Sequence, residues 1–155
     1  MFSFFKKGKN KKSKSTDVVE YNPTLIKKFC KAHEKLEVTI NKVLEDTKKQ
    51  DTVAIRKSLK QLRLEIIGHF MEEDISLYRY LTHYYKQDEN TLELIMAFES
   101  SIKEIQKGVL AFLDKYIQQN ANYDKIFEAR FTDIVESLTT RVEAEENNLY
   151  TLYIK

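Results

Sequence analysis

Glycine and proline are scarce in this 155-residue chain, which contains only three glycines and one proline. Tight turns often need these residues, so a fold with many hairpins is disfavoured and long helices are favoured. No apolar run approaches the roughly 20 residues that a transmembrane helix requires. The single cysteine leaves no partner for an internal disulfide. The length suits one domain with one sizeable core.

Positive charge is concentrated at the start of the chain. Residues 1–15 contain six lysines and no acidic residue, whereas the whole chain has a formal net charge of +2, so the remainder carries −4. That acidic remainder argues against nucleic-acid binding by the folded part. We expect residues 1–21 to form a basic tail. Phe2, Phe4 and Phe5 ahead of the lysines predict weak contact with an anionic membrane; a purely solubilising tail is the alternative.

The same N-terminal residues bear on location. The apolar stretch of Met1–Phe5 is too short for the core of a signal peptide, and lysines follow it directly. A single cysteine also suits a reducing compartment. We therefore expect a cytoplasmic protein, peripheral at the inner face of the membrane if the tail binds lipid.

Apolar residues recur at intervals of three and four in four successive segments, which is the pattern of helices with one buried face. Asn22-Pro23-Thr24 is a helix start, with a side-chain acceptor followed by proline in the first turn. Short polar stretches separate the segments, as in bundles whose neighbouring helices are antiparallel. We predict an all-α protein, a single up-down-up-down antiparallel four-helix bundle over residues 22–155.

Polar side chains interrupt three of the four apolar patterns. His33 lies about ten residues into the first helix, and a rise of about 1.5 Å per residue puts it near the level of the other interruptions. These are His69 and Glu73 in the second helix and Arg141 and Glu145 in the fourth. Residues spaced i, i+4 share one helix face, and a histidine and a carboxylate placed in this way can bind one metal ion.

Three motifs around these residues resemble those of the hemerythrin-like (HHE cation-binding) family, and the resemblance covers about residues 22–155. The motifs are Ala32-His33-Glu34-Lys35-Leu36, Gly68-His69-Phe70-Met71-Glu72-Glu73-Asp74 with Leu77-Tyr78, and Arg141-Val142-Glu143-Ala144-Glu145-Glu146-Asn147-Asn148-Leu149-Tyr150. The resemblance implies a bundle around a diiron site with five histidines and two carboxylates.

The resemblance also implies which residues would bind metal. The positions that match ligand types are His33, His69, Glu73 and Glu145. Arg141 stands where metal-binding members have a histidine, and the third helix offers Phe98 and Ile102 in place of two more. Three of the five histidines are therefore missing, which argues against oxygen carriage of the standard kind.

Two interpretations of the interior remain open. In the first, the four matching residues bind a metal ion, with iron, zinc or manganese all suited to the donors. In the second, no cofactor binds, and the guanidinium of Arg141 replaces the ion between Glu73 and Glu145. We accordingly predict a metal-linked sensor or a binding module that has lost part of the site.

A fainter likeness suggests another function. Gly68-His69-Phe70 and Leu138-Thr139-Thr140-Arg141, followed by Glu145-Glu146, are similar to regulator of sigma D, a helical protein that binds a sigma factor. The alternative is thus a metal-free regulatory protein that binds a protein partner through a helix face. The chain has no glycine-rich phosphate loop, nucleophile elbow or paired thiol, so we do not expect an enzyme.

Overall fold

The computed structural model describes residues 19–154, and in this range the backbone forms four long helices and no strand. All four begin as regular α-helices, which are α1 Leu25–Lys48, α2 Thr52–Glu72, α3 Glu89–Tyr116 and α4 Lys125–Ala144. Two of them continue in other helical forms: α2 through a π-helical segment Glu73–Tyr78 and an α-helical end Arg79–Tyr84, and α4 through a π-helical segment Glu145–Leu149 and a 3₁₀ turn Tyr150–Leu152. The predicted all-α four-helix bundle is confirmed.

Aspartate side chains begin three of the helices by accepting hydrogen bonds from backbone N–H groups that have no partner within the helix. Asp51 accepts from Ala54 before α2, and Asp88 accepts from Thr91 before α3. Helix α3 therefore begins at Glu89, directly after Asp88. Before α1, the side chain of Asn22 accepts from the N–H of Thr24, and the helix begins just after this turn.

The core consists of two apolar clusters, one above the other along the bundle. One includes Leu36, Ile66 and Leu138, and the other includes Phe29 and Leu149. The polar residues singled out in the sequence lie on the helices between these clusters. The buried polar layer is therefore enclosed by apolar side chains at both ends, which restricts water and strengthens electrostatic interactions inside it.

The bundle also packs against the end of the predicted tail. Val19 and Tyr21 contact the second apolar cluster, and the ring of Tyr21 stacks on that of Tyr153 with centroids 4.8 Å apart. The lysine-rich residues 1–18, and with them the predicted membrane contact, lie outside the described residues. None of the helices within residues 19–154 has the length and apolarity that a membrane span requires.

The N-cap of α4 offers a test of this fold. The carboxylate of Asp124 accepts hydrogen bonds from the N–H groups of Ile126 and Phe127, at 3.1 and 3.0 Å. We expect Asp124→Ala to lower the free energy of unfolding by about 1 kcal/mol, measured by urea denaturation. Asp133→Ala, on the exposed surface of the same helix, is the control and should be neutral or slightly stabilising. Equal losses in both variants would contradict the capping role.

Candidate metal centre

The polar residues identified in the sequence meet inside the bundle. His33 comes from α1, His69 and Glu73 from the middle of α2, and Arg141 and Glu145 from α4, and all five side chains are buried. The i, i+4 pairs lie at the junctions where α2 and α4 change from α to π geometry. π-helical turns are rare and are found frequently at functional sites.

Four of these residues direct donor atoms toward one point. One ligand atom each from His33, His69, Glu73 and Glu145 lies within 4.8 Å of all the others. The two Nε2 atoms are 2.9 Å apart, His33 Nε2 is 3.2 Å from Glu145 Oε1, and His69 Nε2 is 3.6 Å from Glu73 Oε2. Neighbouring donors on an ion at about 2.1 Å lie about 3.0–3.4 Å apart. The donor set therefore matches the size of a single metal ion.

A carboxylate outside this set orients the first histidine. His33 Nδ1 donates to Oε2 of Glu146 at 2.7 Å, and the Glu146 side chain is partly exposed. This contact fixes the ring so that Nε2 faces the other donors. Metal-binding histidines almost always use their second ring nitrogen in this way, and the partner raises their basicity.

Arg141 does not lie between the two carboxylates, contrary to the network interpretation of the sequence. Its Nε donates to Glu145 Oε2 at 2.8 Å and its Nη2 donates to the hydroxyl of Tyr78 at 2.7 Å. Its guanidinium carbon is 4.9 Å from the ring centroid of Phe98 in α3, a cation–π contact. The guanidinium thus fills the side of the layer where the family resemblance would place the missing histidines.

Glu73 consequently has one oxygen without a partner. Its Oε2 accepts a hydrogen bond of 2.6 Å from the hydroxyl of Tyr150, but its Oε1 is buried and makes no hydrogen bond among residues 19–154. A buried polar atom left unpaired is costly, and in native proteins such an atom often contacts a bound water or ion. This orphaned oxygen fits a metal ion better than it fits a completed hydrogen-bond network.

Burial sets the protonation of these groups. It raises the pKa of Glu73 to about 8, with the nearby charge of Glu145 adding to the effect. Burial also lowers the pKa of His69 to about 4, and the positive charge of His33 lowers it further. For Glu145, hydrogen bonds from His33 and Arg141 outweigh burial and lower the pKa. One carboxylate is therefore ionised beside the arginine, while the other is neutral when only protein surrounds it.

The pKa of His33 is raised. Burial disfavours its charged form, but the hydrogen bonds to Glu145 and Glu146 outweigh burial. The interior thus combines one neutral and one readily protonated imidazole. Both imidazoles present Nε2 to the same point. For His33, the hydrogen bond from Nδ1 to Glu146 fixes this orientation.

Two tyrosines connect α2 and α4 across the layer. Tyr78 follows Glu73 by five residues, and its hydroxyl accepts from Arg141 on the opposite helix. Tyr150 follows Glu145 by five residues, and its hydroxyl donates to Glu73 on the opposite helix. Each tyrosine hydroxyl therefore forms a hydrogen bond with an ionisable side chain of the other helix. Burial raises the pKa of both hydroxyls, which are protonated when only protein surrounds them.

A groove gives the site access to solvent. It has a volume of about 500 Å³ and lies between α1 and α4, with Leu36, Ile40 and Leu138 along its apolar part. His33, His69 and Glu145 also line it. Three of the four residues that supply donor atoms therefore border the groove.

Comparison with known proteins gives the family. The family model described as the hemerythrin HHE cation binding domain matches residues 24–153, most of the chain. The chain belongs to the hemerythrin HHE cation-binding family. Comparisons with curated proteins and with solved structures gave no match. The fainter likeness to regulator of sigma D therefore stays a prediction, whereas this hemerythrin-family bundle has a buried His/Glu cluster that could hold a metal ion.

Roles for Tyr78, Glu146 and Tyr150 were not predicted from the sequence. The sequence does contain a repeated pattern that involves both tyrosines. A leucine four residues after each buried glutamate is followed directly by a tyrosine, at Leu77-Tyr78 and at Leu149-Tyr150. In a regular α-helix, residues five apart point about 140° away from each other. For regular α-helices, the spacing of five therefore predicts that these tyrosines face away from the glutamates.

The buried ion pair of Arg141 provides a test of the layer. We expect Arg141→Ala to lower the free energy of unfolding by about 3–5 kcal/mol, because Glu145 then loses its partner in the interior. Arg63→Ala is the control, since Arg63 binds Asp114 at a similar distance of 2.7 Å but on the surface. There we expect a loss of about 1 kcal/mol or less. Similar losses in both variants, measured by urea denaturation, would show that the Arg141 pair is not a buried one.

Proposed function

We propose that this hemerythrin-family bundle binds one metal ion through His33, His69, Glu73 and Glu145 and acts as a metal-linked sensor or binding module. Iron is the leading candidate, and the donors also suit zinc and manganese. The observation that carries the proposal is the convergence of four buried donor atoms within 4.8 Å. We propose a binding role in preference to an enzymatic one.

Two details favour an ion over a metal-free network. The first is the unpaired Oε1 of Glu73, since a network that replaced the metal would have to satisfy this atom. The second is the orientation of His33 by Glu146, an arrangement typical of the outer shell of metal sites. The guanidinium of Arg141 has its own partners in Glu145 Oε2 and Tyr78, so it does not need the oxygens that face the histidines.

The same guanidinium limits the site to a single ion. It lies against Phe98 and occupies the side of the layer next to α3. A second cation there would lie beside a buried positive charge, and the Glu145 oxygen on that side is already engaged by Arg141. The diiron chemistry that the family resemblance implies for oxygen carriage therefore does not suit this chain.

A sensing role is supported by the groove between α1 and α4. Four protein ligands leave coordination positions open on iron, and the groove leads to the same point through apolar side chains. When bound, the ion would supply a site for a small ligand; the chain's own residues would hold the ion, orient His33 and exclude bulk water.

Partner binding stays a second prediction. The outer surface of α2 exposes Leu64, Met71 and Ile75, whose spacing places them on one helix face. Substitutions on this face would test the binding of a regulatory partner. Because these side chains are exposed, a partner bound to them is compatible with a metal ion in the interior.

Elemental analysis tests the metal proposal directly. We expect wild-type protein reconstituted separately with ferrous iron, zinc or manganese to retain one equivalent of at least one of these ions after desalting. His33→Gln and His69→Gln should each lose it, because each removes a nitrogen donor. His83→Gln is the matched control, since His83 is exposed near the end of α2. Wild-type protein that retains none of the three ions would refute the proposal.

The carboxylate of Glu146, which orients His33, gives a second test of the metal site. We expect Glu146→Gln to weaken metal affinity about 10–100-fold, because the amide orients His33 but no longer strengthens its basicity. Competition with a chromogenic chelator measures the change. Glu143→Gln, an exposed glutamate on the same helix, should leave the affinity within experimental error of wild type. Parallel effects of the two substitutions would indicate a general influence of surface charge.

A further inference from the structure

The hydroxyl of Tyr150 lies among the same donor atoms as the proposed ion. Its oxygen is 2.6 Å from Glu73 Oε2, 3.2 Å from His33 Nε2 and 3.4 Å from Glu145 Oε1. Each contact is to an atom that the four-residue donor set directs at the common point. No other tyrosine hydroxyl among residues 19–154 contacts more than one member of this set.

The backbone of α4 places Tyr150 there. The N–H of Tyr150 donates to the carbonyl of Glu145, five residues earlier, which is the hydrogen bond of a π-helix. This wider turn brings Tyr150 back toward the face that carries Glu145, whereas a regular α-helix would point it about 140° away. Its ring is nearly parallel to that of His33, with an angle of 12° between the planes.

We propose that Tyr150 is a fifth protein ligand and that its phenolate oxygen makes the site selective for ferric iron. This inference rests on the proposed metal function. As the ion binds, the O–H bond of Tyr150 breaks and the carboxyl group of Glu73 loses its proton as well. Both protons leave to solvent, and the phenolate oxygen binds the metal with its electron pair. The hydrogen bond to Glu73 Oε2 is lost in the same step.

Charge balance supports this assignment. With Tyr150 ionised, the ligands Glu73, Glu145 and Tyr150 carry three negative charges, while the histidines bind as neutral imidazoles. The charges of Arg141 and Glu146, each hydrogen-bonded to a ligand, cancel each other. A trivalent ion therefore neutralises the site, whereas a divalent ion would leave one negative charge. Phenolate is also a hard, strongly donating oxygen ligand that favours iron(III) over iron(II).

Tyr78 is the matched residue that lacks this role. It follows Glu73 by five residues, as Tyr150 follows Glu145; Tyr78 is the last residue of its π-helical segment, and Tyr150 comes directly after the other one. Its hydroxyl, however, accepts a hydrogen bond from the guanidinium of Arg141, which lies on the other side of the layer. A positively charged partner at 2.7 Å leaves this oxygen directed away from the ion.

The test uses light absorption by the ferric protein. Full-length protein is loaded anaerobically with ferrous iron, desalted and oxidised with ferricyanide, which accepts one electron per iron. A phenolate on iron(III) gives a charge-transfer band in the visible region, and excitation in this band enhances the ring vibrations of the bound tyrosine in resonance Raman spectra. We expect the band in wild type and in Tyr78→Phe, and its complete loss in Tyr150→Phe.

Iron content separates the outcomes. Tyr150→Phe should still bind one iron, because the four other ligands remain. The inference is overturned if wild type binds iron without the visible band, or if Tyr150→Phe keeps the band. Wild type that binds no iron would instead overturn the proposed function as well. Resonance Raman spectra of the wild type test the ligand even if Tyr150→Phe does not fold.

Discussion

The two oxygens of Glu145 face opposite sides of the bundle interior, and the organisation of the polar layer follows from this division. Oε2 accepts from Arg141 at 2.8 Å, and Oε1 lies 3.2 Å from His33. One carboxylate thereby anchors a permanent positive charge on one side and faces the imidazoles on the other. Without the arginine, the carboxylate would be a buried charge without a fixed partner. Without the histidine, its inner oxygen would face only apolar side chains and neutral groups.

The apolar clusters on either side give this polar layer its strength. Phe29 and Leu36 are neighbours of His33 on the same face of α1, and they belong to different clusters. The groove between α1 and α4 borders the layer at His33, His69 and Glu145. In such an environment, paired polar groups interact strongly and unpaired ones are costly. Glu73 Oε1 is the one buried side-chain polar atom of residues 19–154 without a hydrogen-bond partner, and it is therefore the most informative atom in the layer.

Much of the arrangement could be predicted from the sequence because helices convert spacing into geometry. The four helices followed from the apolar period, and the common level of His33, His69 and Glu145 followed from counting residues along them. The interaction partners of the Arg141 guanidinium could not be predicted in this way. Periodicity gives the face on which a side chain lies, but a long flexible arginine can reach several partners from one position. Its contacts with Tyr78 and Phe98 depend on the local packing of α2 and α3.

The roles of the two tyrosines could not be predicted for a different reason. A π-helical turn holds one more residue than the corresponding part of an α-helix, and the surrounding apolar pattern continues on either side of it. The extra residue therefore leaves only a slight shift of phase. At Glu145–Leu149 this shift decides whether Tyr150 faces the layer or turns away from it.

The π-helical segment of α4 lets the interior accommodate one residue more than a regular helix holds. A homologue with one residue fewer between Glu145 and Tyr150 would restore a regular helix there. Its glutamate and tyrosine would then be four residues apart and would still share one helix face, about 40° from each other. In an alignment, a one-residue gap at this place would thus be compatible with a tyrosine in the layer. A chain that kept the spacing of five in a regular helix would instead turn the tyrosine about 140° away.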